Sequence, residues 1–489
     1  MKKVLWIVAL MAGMASVQAQ QVGLTRGVET KSLDAEEISE SVYVGSVESY
    51  DCWIMDAKRD KKQVVITDGN LEIVQKILLN KSDDAELLTM ALAGRNLFLV
   101  TVDGSSKGRT VLFAYRLELL KDMYGKMTVE KRNPDTLQVF KYDRKDNCKV
   151  WGATSPDGHY LTTLVTVENV KQKQFSTQVS LYDALSRQIW SKEVPLFAVQ
   201  DLYLTDAGRL VTLGTAVEGE ETHLIYGVVD DGRQDVYKVT VKCDPLRELR
   251  LVNVLDNHVL AVGTYSPMGR SIEKGYTGGT VSMSFNTDSA SLSGFALRPF
   301  QNEDMNILYN KNTKKVQRDH EADNVKVLAM TPTPYGAAMV VGRSLVVEAF
   351  DDANNPITKQ VVMGLHVEGV DTDGRQIWVR NIRCNDWTKE AGKPCYLGLL
   401  STPRGVCLMK SEHPKYPADY NITDEVKPLE MGTKANLVVY TIAPDGEVSK
   451  QIVEGKAKQI LLRSMIHPDG SLAMLLGKGG KIRLDILKF

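Results

Sequence analysis

"YDALSRQIWSKEV" at 182–194 and "VDTDGRQIWVRNI" at 370–382 align without a gap. Asp183 falls on Asp371, Trp190 on Trp378 and Lys192 on Arg380. One chain that writes the same word twice, far apart, points to a structural repeat. Each copy joins a run of apolar and β-branched residues to a short turn and then to a second run, the pattern of an antiparallel hairpin.

Working outward, two kinds of turn word recur. The first kind includes "LAGRNL" near 94, "SPDGHYL" at 155, "TDAGRLV" at 205, "LDNHVLA" at 255, "TPYGAAM" at 333, "TPRGVCL" at 402 and "HPDGSLA" at 467. The second kind includes "TDGNLEIV" at 67, "KDMYGKM" at 121, "DALSRQIW" at 183, "DDGRQDVY" at 230, "NTDSASLS" at 286, "DTDGRQIW" at 371 and "APDGEVSK" at 443. After Tyr124 the two kinds alternate. An Asp or Asn opening such a turn bonds its own backbone, and Gly beside it accepts positive φ at little steric cost. Two hairpins per unit make a four-stranded sheet, and a ring of such units is a β-propeller. The expected fold is therefore all-β, a single propeller of seven blades, or eight if 41–80 forms a blade of its own. "RQIW" opens each outermost strand, which sets Trp190 and Trp378 between neighbouring blades. The chain ends in "KIRLDILKF", a third strand with nothing after it, so an N-terminal strand is expected to complete that blade. Two stacked β-sandwich domains are the competing architecture.

"YDALSRQIWSKE" and "DTDGRQIWVRN" resemble the outer-strand signature of pyrroloquinoline-quinone-like propeller repeats. "SPDGHYL" and "HPDGSLA" resemble the inner turn of WD40-like bacterial repeats. The resemblance covers 147–298 and 360–489 well and 41–135 loosely. It implies a fold and no activity. Quinone-dependent dehydrogenases of the resembled family use adjacent cysteines; none are adjacent here, so no cofactor is expected.

The bulk numbers frame the rest. With 489 residues, 43% apolar and 25% charged, the chain has globular composition. "MKKVLWIVALMAGMASVQAQ" reads as a secretory signal cleaved after Ala19, giving a signal at 1–19, a lead segment at 20–40 and the propeller at 41–489. The expected location is periplasmic or extracellular. Losing Lys2 and Lys3 leaves the chain slightly acidic with mixed signs, against a nucleic-acid partner. Nothing later is long and apolar enough for a membrane span. A monomer is expected. Six cysteines, Cys52, Cys148, Cys243, Cys384, Cys395 and Cys407, are too few for a disulfide scaffold. Cys384 with Cys395 is the candidate disulfide, Cys395 with Cys407 its competitor, and six buried thiols the alternative.

In a four-stranded blade the first and third turns share one end of the ring, and the second turn and the link to the next blade share the other. The long segments 266–279, 299–323, 351–359, 383–394 and 411–434 all fall at the second end. Long loops on a rigid scaffold are where binding concentrates. The candidate binding residues there are Arg270, Tyr276, Tyr309, Arg318, His320, Trp387, His413, Tyr416 and Tyr420. No catalytic residue is assigned. There is no GxSxG, CxxC or HxxxH, "SIEK" at 271–274 lacks its companion motifs, and "FDDANNP" at 350–356 departs from calcium-loop order, so no metal is expected. The reading is a non-catalytic propeller binding a protein or glycan. A hydrolase or lyase using His320, Glu321 and His413 is one alternative, and an envelope assembly scaffold is another.

Overall fold

The computed structural model describes residues 23–33, 38, 41–57, 62–79, 85–104, 107–131, 133–172, 174–195, 199–218, 221–241, 246–255, 257–266, 276–311, 322–350, 354–387, 397–416, 425–430, 434–457, 460–466, 471–478 and 481–488. Eight blades, each a four-stranded antiparallel sheet, form a ring, a β-propeller; the sheets of blades 2 and 6 each add a short fifth strand, Met127–Lys131 and Leu429–Glu430. Blade 1 spans 42–78, blade 2 85–141, blade 3 147–194, blade 4 199–241, blade 5 246–299, blade 6 325–387 and blade 7 398–457. Blade 8 takes three strands from 460–488 and its outermost from Gly23–Thr25. The count is eight rather than seven because 42–78 is a complete blade whose first turn, at Glu48, lacks an Asp-Gly word.

Closure is antiparallel, with Leu24 opposite Leu487 and Thr25 opposite Ile486. Thr30 and Ile482 then exchange backbone hydrogen bonds of 2.9 and 3.0 Å. Gly27 is required between them, since a Cβ there would lie 2.1 Å from the Leu484 carbonyl oxygen. The ring therefore has no open edge at its seam.

The core is distributed over the blade junctions. Strand side chains alternate between the two sheet faces, so each blade feeds both neighbours. In blade 6, Ala338 and Val340 pack toward blade 7, while Ala337, Met339 and Val341 pack toward blade 5. Trp190 is buried against Leu204, Leu210 and Val229 of blade 4, and Trp378 lies in the cluster holding Leu408, Tyr440 and Ile442 of blade 7. Both tryptophans seal junctions, as their place in the repeated word requires.

The turn aspartates act as their chemistry predicts. Asp183 Oδ1 accepts the amides of Leu185 and Arg187, both at 2.9 Å; Asp371 Oδ1 accepts those of Asp373 and Arg375 at 3.0 and 2.7 Å. Asp68 and Asp122 repeat the pattern. The matched cations also share a role, because each reaches the outer turn of the next blade. Lys192 Nζ donates to the Asp230 carbonyl at 2.7 Å and Arg380 Nε to the Gly446 carbonyl at 2.5 Å. Arg233 does the same to Thr287 at 2.8 Å and Arg298 to Gly374 at 3.4 Å. Four consecutive junctions, from blade 3 to blade 7, thus carry one cationic latch each.

Candidate functional site

The strand order puts the described ends of the links 266–279, 299–323 and 411–434 at one end of blades 5 to 7. Of the segments 351–359 and 383–394, residues 356–359 and 383–387 continue strands of blade 6. Helix α1 (Asn302–Leu308) starts the 299–323 link and buries Met305, Ile307 and Leu308 against blades 5 and 6. It sits close over Gly364, where a Cβ would lie 2.1 Å from the Ile307 carbonyl oxygen. Gly364 takes φ 57 in a register shift between Met363 and Leu365. Such a bulge re-aims the following side chains, here His366 and Glu368, which glycine alone permits without strain.

His366 is buried at the base of a cleft of about 560 Å³ between the outer parts of blades 5 and 6. The walls include Arg298, Pro299 and Gln301 on one side, Glu303 and Asp304 of α1 above, and Gln376, Arg380 and Asn381 opposite. His366 Nδ1 is 3.1 Å from Asp304 Oδ1 and 3.2 Å from Asn381 Oδ1. Its Nε2 is 3.9 Å from Glu368 Oε2, and Glu368 pairs in turn with Arg298. Asp304 also accepts from the Gln301 amide at 2.7 Å and from Asn381 Nδ2 at 2.8 Å. Burial alone would lower the imidazole, but the Asp304 and Glu368 carboxylates overcome it and raise His366 to about 9. Burial works against both carboxylates, yet His366 holds them below their ordinary values, helped by the Gln301 amide and Asn381 at Asp304 and by Arg298 at Glu368. The imidazolium therefore joins helix to sheet and fixes the cleft's polar wall. Both of its nitrogens face protein groups, which suits positioning better than proton transfer to a ligand.

A second ionic group lies inside the junction of blades 6 and 7. Lys410 Nζ is 3.2 Å from Asp386 Oδ2 and 3.9 Å from Glu412 Oε1, while Lys450 Nζ is 2.6 Å from Glu412 Oε2. The Tyr440 hydroxyl also donates to Glu412. Burial pushes Asp386 up; it pulls Lys410 down, but Asp386 and Glu412 more than reverse that.

The described binding candidates fall into two groups. The Tyr309 hydroxyl donates to Asp323 at 2.7 Å, its ring lies 4.3 Å from the Arg343 guanidinium, and Arg343 pairs with Asp323 through two contacts of 3.0 Å. Tyr276 pairs by backbone with Asp323. At the next junction, Trp387 Nε1 donates to Asn385 at 2.6 Å and is opposite Glu430 in a parallel bridge. His413 stacks on Tyr416 at 5.7 Å, and the buried Tyr416 donates to the Lys427 carbonyl at 2.5 Å. Asn310 Nδ2 donates to the Val426 carbonyl and its Oδ1 accepts the Val426 amide, both at 2.9 Å, so the 299–323 and 411–434 links are tied together. Arg270, Arg318, His320, Glu321 and Tyr420 lie outside the described residues. So does Cys395; Cys384 is buried with Sγ 3.6 Å from the Val362 carbonyl.

The residues that sequence reasoning missed are His366, Glu368, Asp304, Arg298, Lys410 and Glu412. The available signal was a pair of ionisable residues two apart within an apolar strand, "GLHVEGV" at 364–370 and "VCLMKSE" at 406–412. Two apart means one face, and such a pair must be neutralised from a neighbouring blade.

No protein-family model matches the chain and no curated protein sequence matches it. Solved structures do match, 326 chains in all. The β-propeller domain of the Trilobed protease from Pyrococcus furiosus is 13% identical, with 68% of this chain and 79% of that one covered and a TM-score of 0.31. The polysaccharide lyase Uly1 is 9% identical over 82% of this chain and 88% of that one, TM-score 0.34. The acylaminoacyl peptidase of Pyrococcus horikoshii is 10% identical over 91% of this chain and 59% of that one, TM-score 0.37. Likenesses of this size carry no activity across. Among the described residues no helix is long and apolar enough to cross a membrane, and no group of three or more His, Cys, Asp or Glu could hold a metal.

Proposed function

We propose that this chain is an exported, non-catalytic propeller that holds a protein or glycan partner at the long-link end of blades 5 to 7. The observation that carries the reading is the cleft of about 560 Å³ roofed by α1, whose polar wall is held in place by the His366 network. Its volume lies in the range of small-ligand sites, and its mixture of amides, guanidinium and carboxylate suits a polar ligand such as a sugar or a peptide side chain. The hydrogen bonds that tie α1 to His366 and Asn310 to Val426 reduce the ordering cost that a partner meets on binding. Export rests on the residue pattern at 1–19.

The test is capture from the envelope fraction and on a glycan array, with the mature protein compared with a Glu303→Lys, Gln376→Trp double variant that fills the cleft from exposed positions. Capture lost with an unchanged melting temperature supports the reading; equal capture removes it. Cell fractionation with N-terminal sequencing, expected to begin at Gln20, tests export. The carboxylates of Glu303 and Asp304 on the cleft wall favour one other reading, a hydrolase or lyase whose geometry His366 holds in place. That reading requires turnover of a glycan or peptide that disappears in His366→Gln.

A further inference from the structure

The ionic group between blades 6 and 7 has a geometry that exceeds the needs of an ion pair. Lys410 and Asp386 sit on strands of different blades, with side chains 2% and 9% exposed. Their Nζ and Oδ2 atoms are 3.2 Å apart. The amine nitrogen of one blade therefore lies in contact with a carboxyl group of the next, both buried. Glu412, itself 1% exposed, stands 3.9 Å from the same nitrogen. Lys450 and the Tyr440 hydroxyl fix the Glu412 carboxylate from the other side. An amine, a carboxyl acceptor and a second carboxyl group to carry protons, all shielded from water, are the parts an amide condensation needs.

We propose that Lys410 and Asp386 condense to an intramolecular isopeptide bond, with Glu412 as the proton carrier. The proton of the Lys410 ammonium passes to Asp386 within the pair, leaving a neutral amine and a carboxylic acid. Nζ attacks Cγ of Asp386 and the C–N bond forms. Glu412 takes the proton that nitrogen sheds and delivers it to the departing hydroxyl, so the C–O bond breaks and one water leaves. One positive and one negative charge disappear together, and no oxidant, reductant or cofactor takes part. Burial favours this outcome, because it raises the Asp386 carboxyl toward its protonated form and keeps water from reversing the reaction. The two carboxylates also keep Lys410 largely charged, so the amine is scarce and the condensation is slow. Rigid neighbouring strands compensate by holding the reacting groups at high effective concentration. The product is a covalent staple from the fourth strand of blade 6 to the second strand of blade 7, beneath the links proposed to hold the partner.

The test is mass spectrometry of the purified mature chain, freshly folded and after days of incubation, followed by tryptic digestion. The expected result is a protein lighter by one water and a branched peptide joining 384–389 to 405–415, since a linked Lys410 is not cut by trypsin. Lys410→Arg and Asp386→Ala lack the branched peptide, and Glu412→Gln forms it at least tenfold more slowly. The wild-type measurement is decisive even where a variant does not fold. An intact mass equal to the sequence mass, with cleavage after Lys410 throughout, overturns the proposal. Formation in Glu412→Gln at the wild-type rate overturns the part assigned to Glu412.

Discussion

The junction of blades 3 and 4 and that of blades 6 and 7 are built from the same word and end differently. In each, a tryptophan seals the gap and a cation latches onto the next outer turn. The first junction stops there, with Leu164, Val179, Leu204 and Val229 as apolar filling and the Thr166 and Thr177 hydroxyls paired beside them. The second adds Lys410, Asp386, Glu412 and Lys450, each almost fully buried. Buried charge is a poor source of stability compared with apolar filling of the same volume. Blades 3 and 4 demonstrate that a junction seals without such a group, whereas buried ion pairs lie around blades 5 to 7 and, through Arg483 with Glu454 and Asp485, between blades 7 and 8.

The sharpest break of this comparison is at the tryptophans. Trp190→Ala and Trp378→Ala each delete a buried ring and are expected to cost about 3–5 kcal/mol in chemical denaturation. Similar losses at both sites support a shared sealing role; a loss confined to one site contradicts it.

The His366 network comes next. A folded value near 9 lies above the ordinary imidazole value of about 6.5, so its stabilisation is complete below that pH and is lost as pH rises through 9. Stability measured at pH 6 and pH 9.5 should fall by on the order of 3 kcal/mol more in the wild type than in His366→Gln. Parallel losses would show that the imidazole is not held as a cation.

The turn glycines give a smaller contrast. Gly446 has φ 86, and a Cβ there would lie 2.7 Å from both Trp378 Cβ and Arg380 Nη2. Gly232, in the matching turn of blade 4, has only Asp230 Oδ1 within reach, at 3.9 Å. Gly446→Ala should cost about 2 kcal/mol and Gly232→Ala less than about 0.5 kcal/mol. Equal effects would mean that the two latches do not differ in closeness. Below the Gly446 effect come the latches, where Lys192→Met and Arg380→Met should each cost about 1 kcal/mol, read as a shift in denaturation midpoint.

Much of the ring was legible because its chemistry is local. An Asp that bonds its own turn, with a latching cation further along the outer strand, leaves the same trace in blades 3 and 6, which is why Asp183 and Lys192 match Asp371 and Arg380; the latches of Arg233 and Arg298 stand at other distances from their turns. Blade 1 was fainter because its first turn runs through Glu48 at φ 56 and carries no Asp-Gly word. The inner-strand bulges, such as those at Tyr43/Gly45, Leu87/Thr89 and Val327/Ala329, have no shared residue pattern and were not legible. The cleft was hidden for another reason. Arg298, Asp304, His366 and Asn381 come from three separate segments, and only the ring brings them together. The loop aromatics were visible, but Tyr309 and Tyr416 are tied into the scaffold through Asp323 and Lys427. Trimming 411–434 would therefore uncover the Lys410 group and disturb the fold along with any binding.

Backbone hydrogen exchange of the purified protein tests most directly whether α1 and 425–430 form a rigid platform. If Asp304–His366 and Asn310–Val426 anchor them, amides of α1 and of 425–430 will exchange as slowly as the inner strands of blade 6. Exchange of those amides at the rate of exposed turns such as 122–126 would contradict the account.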